Sequence, residues 1–162
     1  MLWPILIVAL DGPARADLPS PVLEDLFPLG IQAGTSAGVS VAGTHLETVS
    51  TLRLSEPCIL VEKTGDATFR LTAPPDLPVG FYDVSAVGKY GITGPRLSHV
   101  SRKRELTEPE GGHAALELPM NAIMTRRIAA AGEIDRYRLA GRAGIQLSSN
   151  SGRTGASRSC AP

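Results

Sequence analysis

The chain has 162 residues, 43% hydrophobic and 20% charged, which is enough for one globular core and not for two complete ones. Its 16 Lys and Arg balance 16 Asp and Glu, so it lacks the basic excess of a phosphate-backbone binder, which argues against nucleic acid as a partner. With 17 Gly, 13 Pro and only 4% aromatic residues, it favours many turns and short strands over long helices.

Residues 1–10 are apolar (Leu2, Trp3, Ile5, Leu6, Ile7, Val8, Leu10) and are followed by Asp11-Gly12-Pro13 and Ala14-Arg15-Ala16. A short hydrophobic run, a helix breaker and a small-x-small site read as a signal peptide over residues 1–16, although no Lys or Arg precedes the run. A buried N-terminal strand is the competing reading. The run is too short to cross a bilayer. The expected product is therefore secreted, periplasmic or at the cell surface, with no stable membrane span.

From Pro19 to Val100, strand-length apolar stretches are divided by turn residues at intervals of about ten, the pattern of an all-β sandwich. The expected strands are Val22 to Phe27, Gly38 to Ala42, Val49 to Leu54, Cys58 to Glu62, Thr68 to Ala73 and Phe81 to Val87, the last alternating through Tyr82, Val84 and Ala86. Between them lie Pro28 to Gly34, Gly43-Thr44, Ser55-Glu56-Pro57, Thr64-Gly65-Asp66, Pro74 to Pro78 and Gly88 to Pro95. Proline cannot donate to a strand ladder and glycine supplies positive φ, so these segments end strands. Cys58 falls in an apolar run and is expected to be buried, whereas Cys160 sits in a polar tail. Neither has the partner spacing of a zinc or redox site, and pairing of the two does not follow from the sequence.

Residues 101–112 are charged, nearly free of apolar side chains and end in two glycines, as an interdomain linker does. Beyond them Ala114 to Met120, Ala122 to Ile128 and Ile134 to Leu139 read as three more strands, with a helix over Ala122 to Ala131 competing because Ala and Arg favour it. Residues 148–162 are Ser, Gly and Arg without acids or periodicity and are expected to be disordered.

Leu26-Phe27-Pro28-Leu29-Gly30, Gly34-Thr35 and Val39 to Leu46, then Ala73 to Val84 with its Pro-x-Gly turn and Tyr82, resemble the corresponding segments of IPT/TIG-type immunoglobulin-like domains, with Val87-Gly88 to Gly94-Pro95 as a final hairpin. The resemblance covers roughly residues 19–100 and implies an immunoglobulin-like β-sandwich with a buried tyrosine. Glu108-Pro109, Gly132 to Leu139 and Ala143 to Leu147 are similar to bacterial pre-peptidase C-terminal domains, with Glu110 where Asn is usual and Glu133 where Asp is usual. That family continues for several more strands, so residues 113–147 read as a partial domain, an incomplete second β-sandwich. Residues 148–162 then read either as an out-of-frame or truncated ending or as a genuine flexible tail.

Chemistry by Ser, His and a carboxylate needs a nucleophile with a base in reach. His45, His99 and His113 have no nucleophile motif around them and read as surface histidines. Asp66, Asp76, Asp83, Glu133 and Asp135 lie near turns or strand ends. Glu133 and Asp135 share a face, read as the wet one, with Tyr137 and Leu139 bracketing the core. They offer too few oxygens for calcium. No catalytic residue, cofactor or metal site is expected. Asp83 is expected to make a turn or cross-strand hydrogen bond. Arg102-Lys103-Arg104 is nearly cancelled by Glu105, Glu108 and Glu110, a solvated linker.

Tyr90, beside Lys89 in Gly88-Lys89-Tyr90-Gly91-Ile92, sits where a hairpin tip presents an aromatic ring, and His45 lies on a loop. The expected function is a secreted, non-catalytic module for adhesion, spacing or protein or glycan binding at the cell surface, with Lys89, Tyr90 and His45 as ligand contacts. Because such modules accompany larger exported proteins, including peptidases, the resemblance also implies a second reading: the N-terminal accessory part of an exported enzyme.

Overall fold

The computed structural model describes residues 18–108, 115–127, 133–142 and 144. The described residues form strands and turns only. The elements are β1 (Val22–Phe27), β2 (Gly30–Gln32), β3 (Ser36–Thr44), β4 (Val49–Leu54), β5 (Leu60–Lys63), β6 (Thr68–Thr72), β7 (Gly80–Gly88), β8 (Gly91–Ile92), β9 (Arg96–Ser101), β10 (Arg104–Thr107), β11 (Leu116–Glu117), β12 (Ala122–Thr125) and β13 (Tyr137–Arg138). One sheet runs β1-β3-β6-β5 and the other β2-β9-β7-β4, with β8 added to β7. Every ladder in these two sheets is antiparallel except β2 with β9. The result is an all-β, immunoglobulin-like sandwich.

Alternation builds the core. Phe69 and Leu71 on β6, Val39 and Val41 on β3, Val84 and Ala86 on β7 and Val100 on β9 point between the sheets and are buried, while Arg70, Asp83 and Phe81 point out. On β1, Leu23 and Leu26 are both buried although three residues apart. The ladder shifts register between Leu23 and Asp25, so Glu24 is an extra residue that restores the inward phase. The same device operates on β4, where the shift between Val49 and Thr51 lets Val49 and Leu52 both face the core. Each bulge is matched by a glycine: a Cβ on Gly43 would collide with the Val22 carbonyl oxygen, and one on Gly88 would lie 2.8 Å from that of Thr48.

Polar groups inside the sandwich are paired. Ser98 Oγ donates to the Leu29 carbonyl (2.9 Å), and Arg96 Nε donates to the Leu23 carbonyl across the sheets (2.8 Å). Thr93 Oγ1 accepts from the Ala86 amide (3.0 Å) and donates to the Gly94 carbonyl (2.9 Å). Tyr82 packs half-buried against the core, its hydroxyl donating to the Pro78 carbonyl (2.7 Å). These bonds remove the desolvation penalty that unpaired buried groups would carry.

Several expectations are corrected. Cys58 is exposed in the turn before β5, because the strand begins only at Leu60. The apolar run is split by period two: Ile59 is buried and Leu60 is 68% exposed. Part of the stretch read as a linker is strand, since Ser101 closes β9 and Arg104–Thr107 is β10, paired in parallel with β12. Its charges hid the pairing of Leu106 with Met124. Over Ala122 to Thr125 the strand prevails over the competing helix. β11 and β13 pair in parallel. Leu139 is exposed rather than bracketing a core. The expected signal peptide, His113, residues 148–162 and Cys160 lie outside the described residues.

Phe69→Ala is expected to cost about 3–5 kcal/mol, because it empties a fully buried site. Arg70→Ala next to it, on the exposed face, should stay within about 0.5 kcal/mol. Urea unfolding of both variants checks the contrast.

Candidate functional site

The sequence singled out the hairpin tip and the loop after β3. Lys89 and Tyr90 form the two-residue turn between β7 and β8, flanked by the Gly88–Gly91 pair, with Gly91 at φ 116°. Tyr90 is half-buried, and Lys89 Nζ sits 5.8 Å from its ring centroid. His45 is exposed at φ 55°, one residue past the end of β3. Because β4 starts opposite Gly88, both segments lie at the same end of the sandwich. No hydrogen bond, ion pair or ring contact joins His45 to Lys89 or Tyr90 among the described residues.

A denser constellation lies on the outer face of the second sheet. Register sets Phe81 of β7 directly opposite His99 of β9, and Asp83 opposite Leu97 one step along. All four have outward parity, since Tyr82, Val84, Ser98 and Val100 take the inward positions. Phe81, the second residue of β7, is 64% exposed and is paired with β9 on one side, β4 joining β7 only from Val84 onward. Its ring centroid is 5.0 Å from that of His99, with the planes at 44°, a tilted aromatic pair. Leu97 is also exposed. Asp83 does make a cross-strand bond, through its backbone: its amide donates to Ser55 Oγ (3.0 Å) and its carbonyl accepts from the Ser55 amide (2.8 Å).

The imidazole is held from behind by β10. Glu105, with a side chain only 11% exposed, places Oε1 at 3.7 Å from His99 Nδ1 and accepts a hydrogen bond from Ser101 Oγ (2.9 Å). Its carboxylate lies over Gly30, whose missing side chain makes room: a Cβ there would overlap the carboxylate. Burial pushes the Glu105 carboxyl above its ordinary value, an effect partly offset by the Ser101 hydrogen bond and by His99. With Nδ1 directed at Glu105, Nε2 occupies the opposite edge of the ring. His99 is thus a half-buried, supported histidine rather than a plain surface one.

Ser101, Glu105 and His99 contain the residue types of a hydrolytic triad in the wrong order. The buried Ser101 hydroxyl bonds Glu105 and the Lys103 backbone rather than the imidazole, so the Ser-to-His contact of such a triad is not made here.

A second charged cluster joins the later strands. The Arg126 guanidinium contacts Glu108 (2.8 Å), Glu133 and Asp135, and the Tyr137 hydroxyl donates to Glu108 Oε2 (3.3 Å). Burial pushes the Tyr137 hydroxyl above its ordinary value, opposed by its contact with Arg126. Glu133 and Asp135 therefore turn inward onto a cation, not to the wet face. The carboxylates already hold an internal charge. No group of three or more His, Cys, Asp or Glu is placed to hold a metal among the described residues. Arg127 ties this region to β1, 2.5 Å from Asp25 Oδ2 and 4.3 Å from the Phe27 ring centroid. No sequence spacing signals Arg126 as a hub, since its partners lie on two other segments, one at Glu108 and one at Glu133 and Asp135.

No protein-family model matches the chain, and no curated protein matches it. Several solved structures are similar, among them the following three. The Bacteroides ovatus mixed-linkage glucan utilization locus SGBP-B, in complex with a mixed-linkage heptasaccharide, is 17% identical, with a TM-score of 0.36 over 57% of this chain and 24% of that one. The gamma-CGTase of alkalophilic Bacillus clarkii is 17% identical, with a TM-score of 0.39 over 58% of this chain and 15% of that one. The titin M3 domain is 21% identical, with a TM-score of 0.29 over 52% of this chain and 93% of that one. The chain thus spans 24% and 15% of the first two, and TM-scores of 0.29 to 0.39 make all three loose likenesses.

A carboxyl whose folded pKa is raised binds its proton more tightly folded than unfolded. Its stabilising contribution is complete below the unfolded pKa and is lost as pH rises through the folded one. Glu105→Gln, which keeps a neutral partner for Ser101, should therefore gain in Tm relative to the native chain as pH goes from about 4 to about 7. A Tm difference that stays constant over that interval would show that the carboxyl is not desolvated.

Proposed function

We propose that the protein is a non-catalytic binding module working outside the cytoplasm, secreted or at the cell surface, which contacts a protein or glycan through the outer face of β7 and β9. The observation that carries this reading is Phe81, 64% exposed on the outer face at the start of β7 and tilted against His99, which lies beside Glu105. An aromatic ring kept out of the core at a fixed position, beside an imidazole and a carboxylate, has the make-up of a contact surface. No helix among the described residues is long and apolar enough to cross a membrane. Export rests on residues 1–16 read as a signal peptide.

The immunoglobulin-like sandwich is proposed to be of the IPT/TIG type, and residues 113–147 to be part of a pre-peptidase C-terminal-type domain, on the motifs quoted above. The loops bearing His45, Lys89 and Tyr90 are proposed as a secondary contact at the end of the sandwich. The binding role is the same whether the module acts alone or as the accessory part of a larger exported enzyme.

Arrays of glycans and extracellular proteins probed with the full chain are expected to yield at least one ligand whose signal falls about tenfold with Phe81→Ser. Tyr90→Ala should weaken it less. Binding that ignores Phe81→Ser, or real turnover in a broad hydrolysis screen, would contradict the proposal.

A further inference from the structure

We infer that the ligand of the Phe81 face is a neutral glycan, one sugar ring of which stacks on the Phe81 ring while its hydroxyl groups are met by His99 and Asp83. This rests on the reading of that face as the contact surface and names the chemistry it accepts. Phe81 and His99 form one row across β7 and β9, and Leu97 and Asp83 the next, so apolar and polar groups alternate in a small checkerboard. Successive same-face positions on a strand are about 7 Å apart, which places a carboxylate one step along the strand from the ring. A pyranose has the matching surface, with C–H groups on its faces and hydroxyls around its rim.

Three observations narrow the class. The exposed apolar side chains at this place are Phe81, Leu97 and, just before β7, Val79, less than the non-polar half or more of the roughly 800 Å² per partner that a stable protein interface covers. β9 lies between β7 and β2 and so offers no free edge for a peptide to add to by backbone pairing, while β7 is covered on its other side by β4 from Val84 onward. Asp83 beside the ring and Glu105 behind the imidazole disfavour an acidic ligand by like-charge repulsion. With Nδ1 turned to Glu105, His99 leaves Nε2 on the outer edge of the ring to hydrogen-bond a hydroxyl, and the Asp83 carboxylate accepts from a second.

The test runs the full chain, native and with Phe81→Ser or Asp83→Asn, through affinity gels containing soluble neutral polysaccharides: a β-1,4-glucan, an α-glucan and a galactomannan. An acidic polysaccharide gel and panning against a phage-displayed peptide library run alongside. Retardation by at least one neutral polysaccharide is expected, with Kd raised about tenfold by Phe81→Ser and raised less by Asp83→Asn. Both side chains are exposed, and circular dichroism confirms that each variant keeps its strands. No retardation, retardation unaffected by both substitutions, or preference for the acidic gel overturns the inference. If that happens while peptides are captured by the native chain and lost with Phe81→Ser, the contact face stands and only the ligand class falls. If no ligand depends on Phe81, both fall together.

Discussion

Phe69, Leu71, Val84 and Val100 meet between the two sheets with almost no solvent exposure, and their fixed inward phase decides where every other side chain of those strands goes. A strand that buries Val84 and Ala86 must turn Phe81, Asp83 and Ser85 outward. The two bulges, on β1 and β4, show how firmly that phase is held: each inserts a residue so that the next apolar side chain still reaches the core. The exposure of Phe81 is thus a consequence of core register. The same constraint on β9 sets His99 beside it.

The outer face is not left uniformly open. β10 returns beside β2 and lays Glu105 over Gly30 and against Ser101 and His99. Ionising a largely buried carboxylate costs stability, which the Ser101 hydroxyl and His99 only partly offset. The imidazole packs between this carboxylate and the Phe81 ring, and such packing lowers the entropy lost on binding. Arg126, with its three carboxylates and Tyr137, and Arg127 against Asp25 and Phe27, tie the later strands to one another and to β1. Residues 104–108 are therefore held to the sandwich by side chains although their composition is that of a linker.

Most of the sandwich was legible in the sequence because it depends on local alternation. β1 and β4 have the expected bounds, and the Lys89–Tyr90 turn falls at the expected hairpin tip. What escaped depends on partners distant in the chain. β2 is three residues long and lies in a stretch read as a connector, where it is stabilised by pairing with β9. β10 was hidden by its charges, and the Arg126 cluster by the distances between its members. Cys58 is exposed because only alternate residues of its apolar run are buried, Ile59 among them. The outer-face site was partly readable: alternation through Tyr82, Val84 and Ala86 already put Phe81 on the polar parity of its strand. The sequence held no sign that His99 would lie opposite it or that Glu105 would support the ring.

The most direct measurement is a nuclear Overhauser spectrum of the full chain in the absence of ligand. The account requires cross-peaks between the Phe81 ring protons and the imidazole protons of His99, and between the Gly30 α-protons and the Glu105 side chain, alongside the core contacts of Phe69. If the core cross-peaks were present and both of these sets absent, the sandwich would stand, but the preformed aromatic face and its support by β10 would not.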